Sequence, residues 1–147
     1  MKLHPDLREW VRLCAAHHVE FLIVGGHAVA FHGYPRFTGD LDFLIRPTAN
    51  NAERAIAALD AFGFGSIGLT REALLSSDTV IQLGRPPNRI DLLTSLSGVE
   101  TDAAFTRGQA GTLDGLSVTY ISRADLLTNK LATGRLKDLA DVEALEG

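Results

Sequence analysis

Apolar side chains recur along the chain with two periods, and the switches between them mark out its elements. From Pro5 to His18, Leu7, Trp10, Val11 and Cys14 fall at i, i+3, i+4 and i+7, with Arg8, Glu9 and Arg12 on the other side: an amphipathic helix. The compact run Phe21-Leu22-Ile23-Val24, closed by Gly25-Gly26, predicts a buried strand. A short helix is expected over His27 to His32, ended by Gly33 and Pro35. Asp40 to Ile45 alternates and then turns apolar until Pro47 stops it, which predicts a second strand.

Asn50 to Phe62 carries Ala52, Ala55, Ile56, Leu59 and Phe62 on one stripe and is followed by Gly63, the clearest helix in the chain. Residues 63–78 show no dominant period. Thr79 to Leu83 and Arg89 to Leu93 read as strands joined through the turn formers Gly84 to Asn88. Val99 to Arg107 is expected to be helical, and Leu116 to Ile121 alternates as a strand after an Asp114-Gly115 turn. Ser122-Arg123-Ala124-Asp125 opens a capped helix through about Thr133, and Gly134 separates it from a last helix near Leu136 to Leu145. The expectation is one α/β (α+β) domain over residues 1–147, with a mixed central sheet flanked by helices.

Composition narrows the setting. Hydrophobic residues make up 46% of the 147 and charged residues 22%, an ordinary soluble globular balance. No apolar run reaches the ~20 residues of a membrane span, and the first residues lack the apolar stretch of a secretory signal. Cys14 is the single cysteine, which excludes an internal disulfide; a cytoplasmic address is expected. Net charge is −4 with no basic tail or stripe, so the chain does not advertise nonspecific binding to a phosphate backbone.

Chemistry concentrates between residues 21 and 46. A buried strand that ends in two glycines and runs into a helix presents bare backbone N–H groups where phosphate oxygens can approach. After a gap of thirteen residues, Asp40 and Asp42 flank Leu41. On a strand, i and i+2 point to the same side about 6.6 Å apart, so the two carboxylates form a shelf while Leu41 and Phe43 face the core. Like charges so placed repel, and a divalent cation is the usual remedy. Asp91, flanked by Ile90 and Leu92, has the same setting; if its strand lies beside Asp40–Ile45, three carboxylates converge, enough for two magnesium ions about 3.5–4 Å apart.

Taken together, Gly25-Gly26-His27-Ala28-Val29, His32-Gly33, Pro35-Arg36, Thr38, Asp40-Leu41-Asp42 and the later Asp91 resemble the nucleotidyltransferase superfamily of the DNA polymerase β type. The resemblance is nearer to the small bacterial stand-alone nucleotidyltransferases, including those of toxin–antitoxin modules, and covers at least residues 20–46. It implies that Asp40, Asp42 and Asp91 are catalytic and hold two magnesium ions, with manganese as a substitute. Asp91 would also help deprotonate the attacking hydroxyl. Gly25 and Gly26 would cradle the β- and γ-phosphates of a nucleoside triphosphate, with Arg36, Thr38 and Lys130 as further nucleotide-binding residues. The implied reaction is attack by an acceptor hydroxyl of a tRNA, a protein or a small molecule on the α-phosphate, releasing pyrophosphate. Many members carry Gly-Ser at the phosphate turn; the Gly-Gly here shifts phosphate grip toward backbone and basic side chains. A partner protein or a homodimer would supply acceptor recognition. The alternative function is a catalytically silent nucleotide-binding or antitoxin-like partner.

Other residues carry weaker signals. Lys130 lies on the inward stripe of its helix, where a lysine needs either an anionic partner or a route to the surface. Arg36 has a structural ion pair as its alternative role. Asp138 and Asp141, three apart, read as a solvated helix face or as partners of Arg135 and Lys137 rather than as catalytic groups. His27 and His32, five apart, point in different directions on a helix, which argues against zinc. Cys14, on an apolar stripe, is expected to be an inert buried thiol.

Overall fold

A computed structural model describes residues 2–35, 39–63, 68–84 and 88–147. Among these residues six strands form one mixed sheet in the order β3-β4-β2-β1-β6-β5. They are β1 (Phe21–Val24), β2 (Leu41–Ile45), β3 (Val80–Leu83), β4 (Ile90–Leu93), β5 (Gln109–Leu113) and β6 (Leu116–Tyr120). β1 runs antiparallel to β2 and parallel to β6; β2 runs parallel to β4; β3–β4 and β5–β6 are antiparallel pairs. The expected mixed sheet with flanking helices is what the chain adopts.

The helices are α1 (Pro5–Ala16), α2 (Gly25–Phe31), α3 (Ala49–Phe62), α4 (Arg71–Leu75), α5 (Thr101–Thr106), α6 (Arg123–Thr133) and α7 (Leu136–Glu146). Trp10 of α1 is fully buried, with its ring 6.1 Å from that of Phe43 on β2 and 5.7 Å from that of Phe62 on α3. Leu41, Phe43, Leu44 and Ile45 are all fully buried, so β2 is a central strand covered on both faces. Among the described residues no helix is long and apolar enough to cross a membrane.

Local chemistry fixes the element ends. Thr48 caps α3 by accepting from the Asn51 amide, and Gly63 ends it in a left-handed turn at φ 96°. Asn51, fully buried on that helix, accepts from Glu20 N at 2.6 Å and donates to the carbonyls of Glu20 and Arg46, each at 2.9 Å. One side chain thereby ties α3 to the start of β1 and the end of β2. Ser122 caps α6 as the sequence predicts, accepting from Asp125 N at 3.1 Å.

Three elements differ from expectation. α2 begins at Gly25 rather than His27, because Gly25 takes φ +68° and turns the chain straight from β1 into the helix. α5 is shorter than Val99–Arg107, starting only where the Glu100 side chain caps Ala103 N. β5 was not expected at all; it pairs with β6 across the Asp114-Gly115 turn. Within the ambiguous stretch 63–78, α4 forms behind the Thr70 cap.

Candidate active site

β2 and β4 lie side by side in the register Leu41↔Ile90, Asp42↔Asp91, Phe43↔Leu92. Asp42 of one strand is therefore the register partner of Asp91 on the other, as the sequence predicts if the strands are neighbours. Alternation places Phe43 on the α1 side of the sheet and Asp42 on the opposite side. There the Asp42 side chain lies against the start of α2: a Cβ added to Gly25 would sit 2.1 Å from Asp42 Oδ2. Glycine at 25 is thus required twice, by its positive φ and by the close approach of a carboxylate.

The carboxyl of Asp42 is pushed up from 3.8 to about 7. Burial is the largest cause, followed by the charge of Asp91, a hydrogen bond with it, and the charge of Asp40; Arg89 pulls the other way. Arg89, just before β4, holds the other two acids. Its Nε donates to Asp91 Oδ1 at 2.9 Å, and its Nη2 lies 3.2 Å from both Asp91 Oδ2 and Asp40 Oδ2. The three carboxylates do meet at one end of the sheet, but as an ion-pair cluster around a guanidinium. Among the described residues no group of three acidic, histidine or cysteine side chains is arranged as a metal-ligand set.

A cleft of about 520 Å³ opens in front of this cluster. Its lining includes Gly25, Gly26, Asp40, Asp42, Arg89 and Asp91 at the sheet end, and Lys130, Thr133, Arg135, Lys137 and Asp138 from α6, α7 and the turn between them.

Lys130 is where the structure departs most from expectation. It borders the cleft, yet only 6% of it is exposed, and its Nζ bonds Asp138 Oδ1 at 3.2 Å and Asp141 Oδ2 at 3.0 Å. It joins α6 to α7 across the Gly134 turn instead of reaching into open space. Asp138 and Asp141 are correspondingly buried, at 1% and 3% exposure, rather than forming a solvated helix face. Asp138 also accepts from Thr133 Oγ1 at 2.7 Å and Arg135 Nε at 2.7 Å. Burial by itself would raise its carboxyl, but the bonds from Arg135, Thr133 and Lys130 hold it well below the usual carboxylate range. The pairing with Arg135 was foreseen; Lys130, not Lys137, is the second cation.

Arg36 and Thr38 lie outside the described residues. His32 Nε2 lies 2.7 Å from the Ile121 carbonyl, while His27 is buried on α2 and burial lowers its pKa, so the two rings sit in separate surroundings. Cys14 is fully buried and its thiol is pushed up by that burial, as expected of an inert core residue. Arg89 is the site residue that sequence reasoning missed. Its signal was its place two residues before Asp91, on the same side of the strand.

No protein-family model matches the chain, and no curated protein matches it. Solved structures do. One is the crystal structure of an antigenic nucleotidyltransferase-like protein from Paracoccidioides brasiliensis, 18% identical, with a TM-score of 0.55 over 99% of this chain and 78% of that one. The chain therefore has a nucleotidyltransferase-like fold.

Proposed function

We propose that the protein is a magnesium-dependent nucleotidyltransferase that moves a nucleoside monophosphate from a triphosphate to an acceptor hydroxyl and releases pyrophosphate. The observation that carries this reading is the register Asp42↔Asp91 beside the bare backbone of Gly25, in an open cleft that Arg135 and Lys137 also line. A carboxyl pushed up to about 7 by burial and, after it, by two acidic neighbours marks a donor set short of positive charge, a condition a divalent cation relieves. Asp40, Asp42 and Asp91 would hold the magnesium ions, which when bound neutralise the polyphosphate and lower the pKa of the acceptor hydroxyl.

The chain's own residues do the rest. Gly25 and Gly26 leave the α2 entrance free of side chains so that phosphate oxygens reach backbone N–H groups. Asp91 would take the acceptor's proton, the role the motif likeness implies for it. Arg135, held by Asp138, presents a fixed cation to the cleft. The motif likeness of residues 20–46 supports placing the chain with the small stand-alone enzymes of bacterial toxin–antitoxin type, acting in the cytoplasm on a tRNA, protein or small-molecule hydroxyl. A partner protein or second copy would present that acceptor.

A silent nucleotide-binding role has one observation in its favour: Arg89 already neutralises Asp40 and Asp91. One experiment separates the two readings. Wild type and Asp42→Asn are incubated with each nucleoside triphosphate, magnesium and a panel of hydroxyl acceptors, and pyrophosphate is measured. The proposed enzyme releases it and the variant does not; magnesium-dependent nucleotide binding with no release by wild type on any acceptor selects the silent binder.

A further inference from the structure

The metal reading leaves Arg89 unexplained. Its guanidinium forks Asp91 through two nitrogens and reaches Asp40 with one of them, at 2.9, 3.2 and 3.2 Å. The side chain is about three-quarters buried, with 27% exposed, so these are not loose surface contacts. Two of the three carboxylates assigned to cation binding thus already bond a cation supplied by the chain itself.

Resting on the proposed function, we infer that Arg89 is a resident counter-ion which an incoming divalent cation displaces, and which then pairs with the polyphosphate arriving in the same cleft. The lone pairs that the Arg89 fork holds on Asp91 and Asp40 are open to a metal ion only once the guanidinium has moved. The displaced side chain has an anionic destination within reach, because Arg89 lines the cleft that the Gly25-Gly26 backbone borders. Guanidinium forks bind phosphate and carboxylate with the same geometry, so the exchange trades one planar bidentate partner for another. Arg89 thereby makes cation binding and nucleotide binding mutually dependent: the cation alone must break the fork, whereas the cation with a triphosphate gives Arg89 a new partner.

Loss of Arg89 should move two affinities in opposite directions, an outcome that neither a structural brace nor a simple phosphate ligand produces. Manganese binding without nucleotide is followed by electron paramagnetic resonance of the free ion for wild type, Arg89→Gln and Arg89→Lys. Binding of a triphosphate bridged by methylene between its α- and β-phosphates is followed by calorimetry in magnesium. The expected result is about tenfold tighter manganese binding by Arg89→Gln together with about tenfold weaker triphosphate binding, since one charge-assisted fork is lost in each state. Arg89→Lys, which keeps the charge without the fork, should fall between and serves as the readout if Arg89→Gln does not fold. Unchanged or weaker manganese binding in both variants, beside clear binding by wild type, overturns the inference and leaves the proposed function standing. No manganese binding by any of the three proteins overturns both.

Discussion

Asp42 of β2 and Asp91 of β4 are direct register partners across two parallel strands, and a hydrogen bond between their carboxyls helps to hold Asp42 near 7. Two acids so paired work against folding whenever both are charged. Both line the cleft, where Arg89 offsets the charge of Asp91.

The first prediction follows from the sign of that shift. Asp42 binds its proton more tightly in the fold than in the unfolded chain, where its pKa is 3.8. Its favourable contribution is complete below about pH 3.8 and is lost as pH rises through about 7. Asp42→Asn, which does not titrate, should therefore match wild type near pH 4 and exceed it at pH 8. The gain should be ~1–2 kcal/mol, reduced from the full linkage value because Asp42 is partly exposed. Thermal melts across this range should show a difference of roughly 2–6 °C at pH 8. Magnesium at millimolar concentration should raise the melting temperature of wild type more than that of the variant. A variant less stable than wild type at pH 8 contradicts the assignment.

Gly25 offers a second prediction with an internal control. Alanine at 25 must adopt φ +68° and push its Cβ into Asp42 Oδ2, whereas alanine at 63 meets φ +96° with nothing within 4 Å. Both changes should cost ~1–2 kcal/mol in urea titrations through backbone strain. Only Gly25→Ala should reduce pyrophosphate release, by 100-fold or more, because only it moves a carboxylate. Equal loss of activity in the two variants would break the link between Gly25 and Asp42.

Lys130 is predicted to act as a strut between α6 and α7. Lys130→Met leaves Asp138 and Asp141 buried without their shared cation, which should cost ~3–5 kcal/mol at pH 7. The triple change Lys130→Met, Asp138→Asn, Asp141→Asn should recover a large part of that loss. The acid limb reports Asp138 separately. Its carboxyl is depressed below 3.8, so its contribution is present above that pH and is lost as pH falls below it. Asp138→Asn should flatten the fall of stability below about pH 4. A Lys130→Met protein as stable as wild type would refute the strut.

Asn51 carries a fourth. Replacing it by Leu removes three hydrogen bonds and leaves the backbone of Glu20 and Arg46 facing an apolar side chain. The expected cost is ~2–4 kcal/mol in urea titrations, against under 1 kcal/mol for an exposed position such as Glu53.

How much of this was legible in the sequence depended on the range of the interactions. β1, β2, α1 and α3 were read from apolar spacing because their burial is periodic, and the caps at Ser122 and Gly63 are local by nature. Asp40, Asp42 and Asp91 were found through strand alternation, which puts charge on one side of an otherwise apolar strand. β5 was missed because Gln109-Ala110-Gly111-Thr112-Leu113 is an edge strand with a mostly exposed, polar sequence, and edge strands lack the apolar signature of central ones. The Asp114-Gly115 turn, with both φ values positive, implied a strand on its near side. The partners of Lys130 lie 8 and 11 residues away, across a helix junction whose angle no local pattern encodes. Arg89 was hidden for a different reason: an arginine beside a carboxylate on a strand reads as ordinary ion pairing until the neighbouring strand is known.

The most direct test follows phosphorus from two positions of one substrate. A nucleoside triphosphate labelled at the α-phosphate in one sample and the γ-phosphate in another is incubated with the protein, magnesium and candidate acceptors. The account predicts α-label bound to an acceptor, γ-label recovered as pyrophosphate, and both lost at least 100-fold in Asp91→Asn. Release of γ-label as inorganic phosphate, or transfer undiminished in Asp91→Asn, would contradict it.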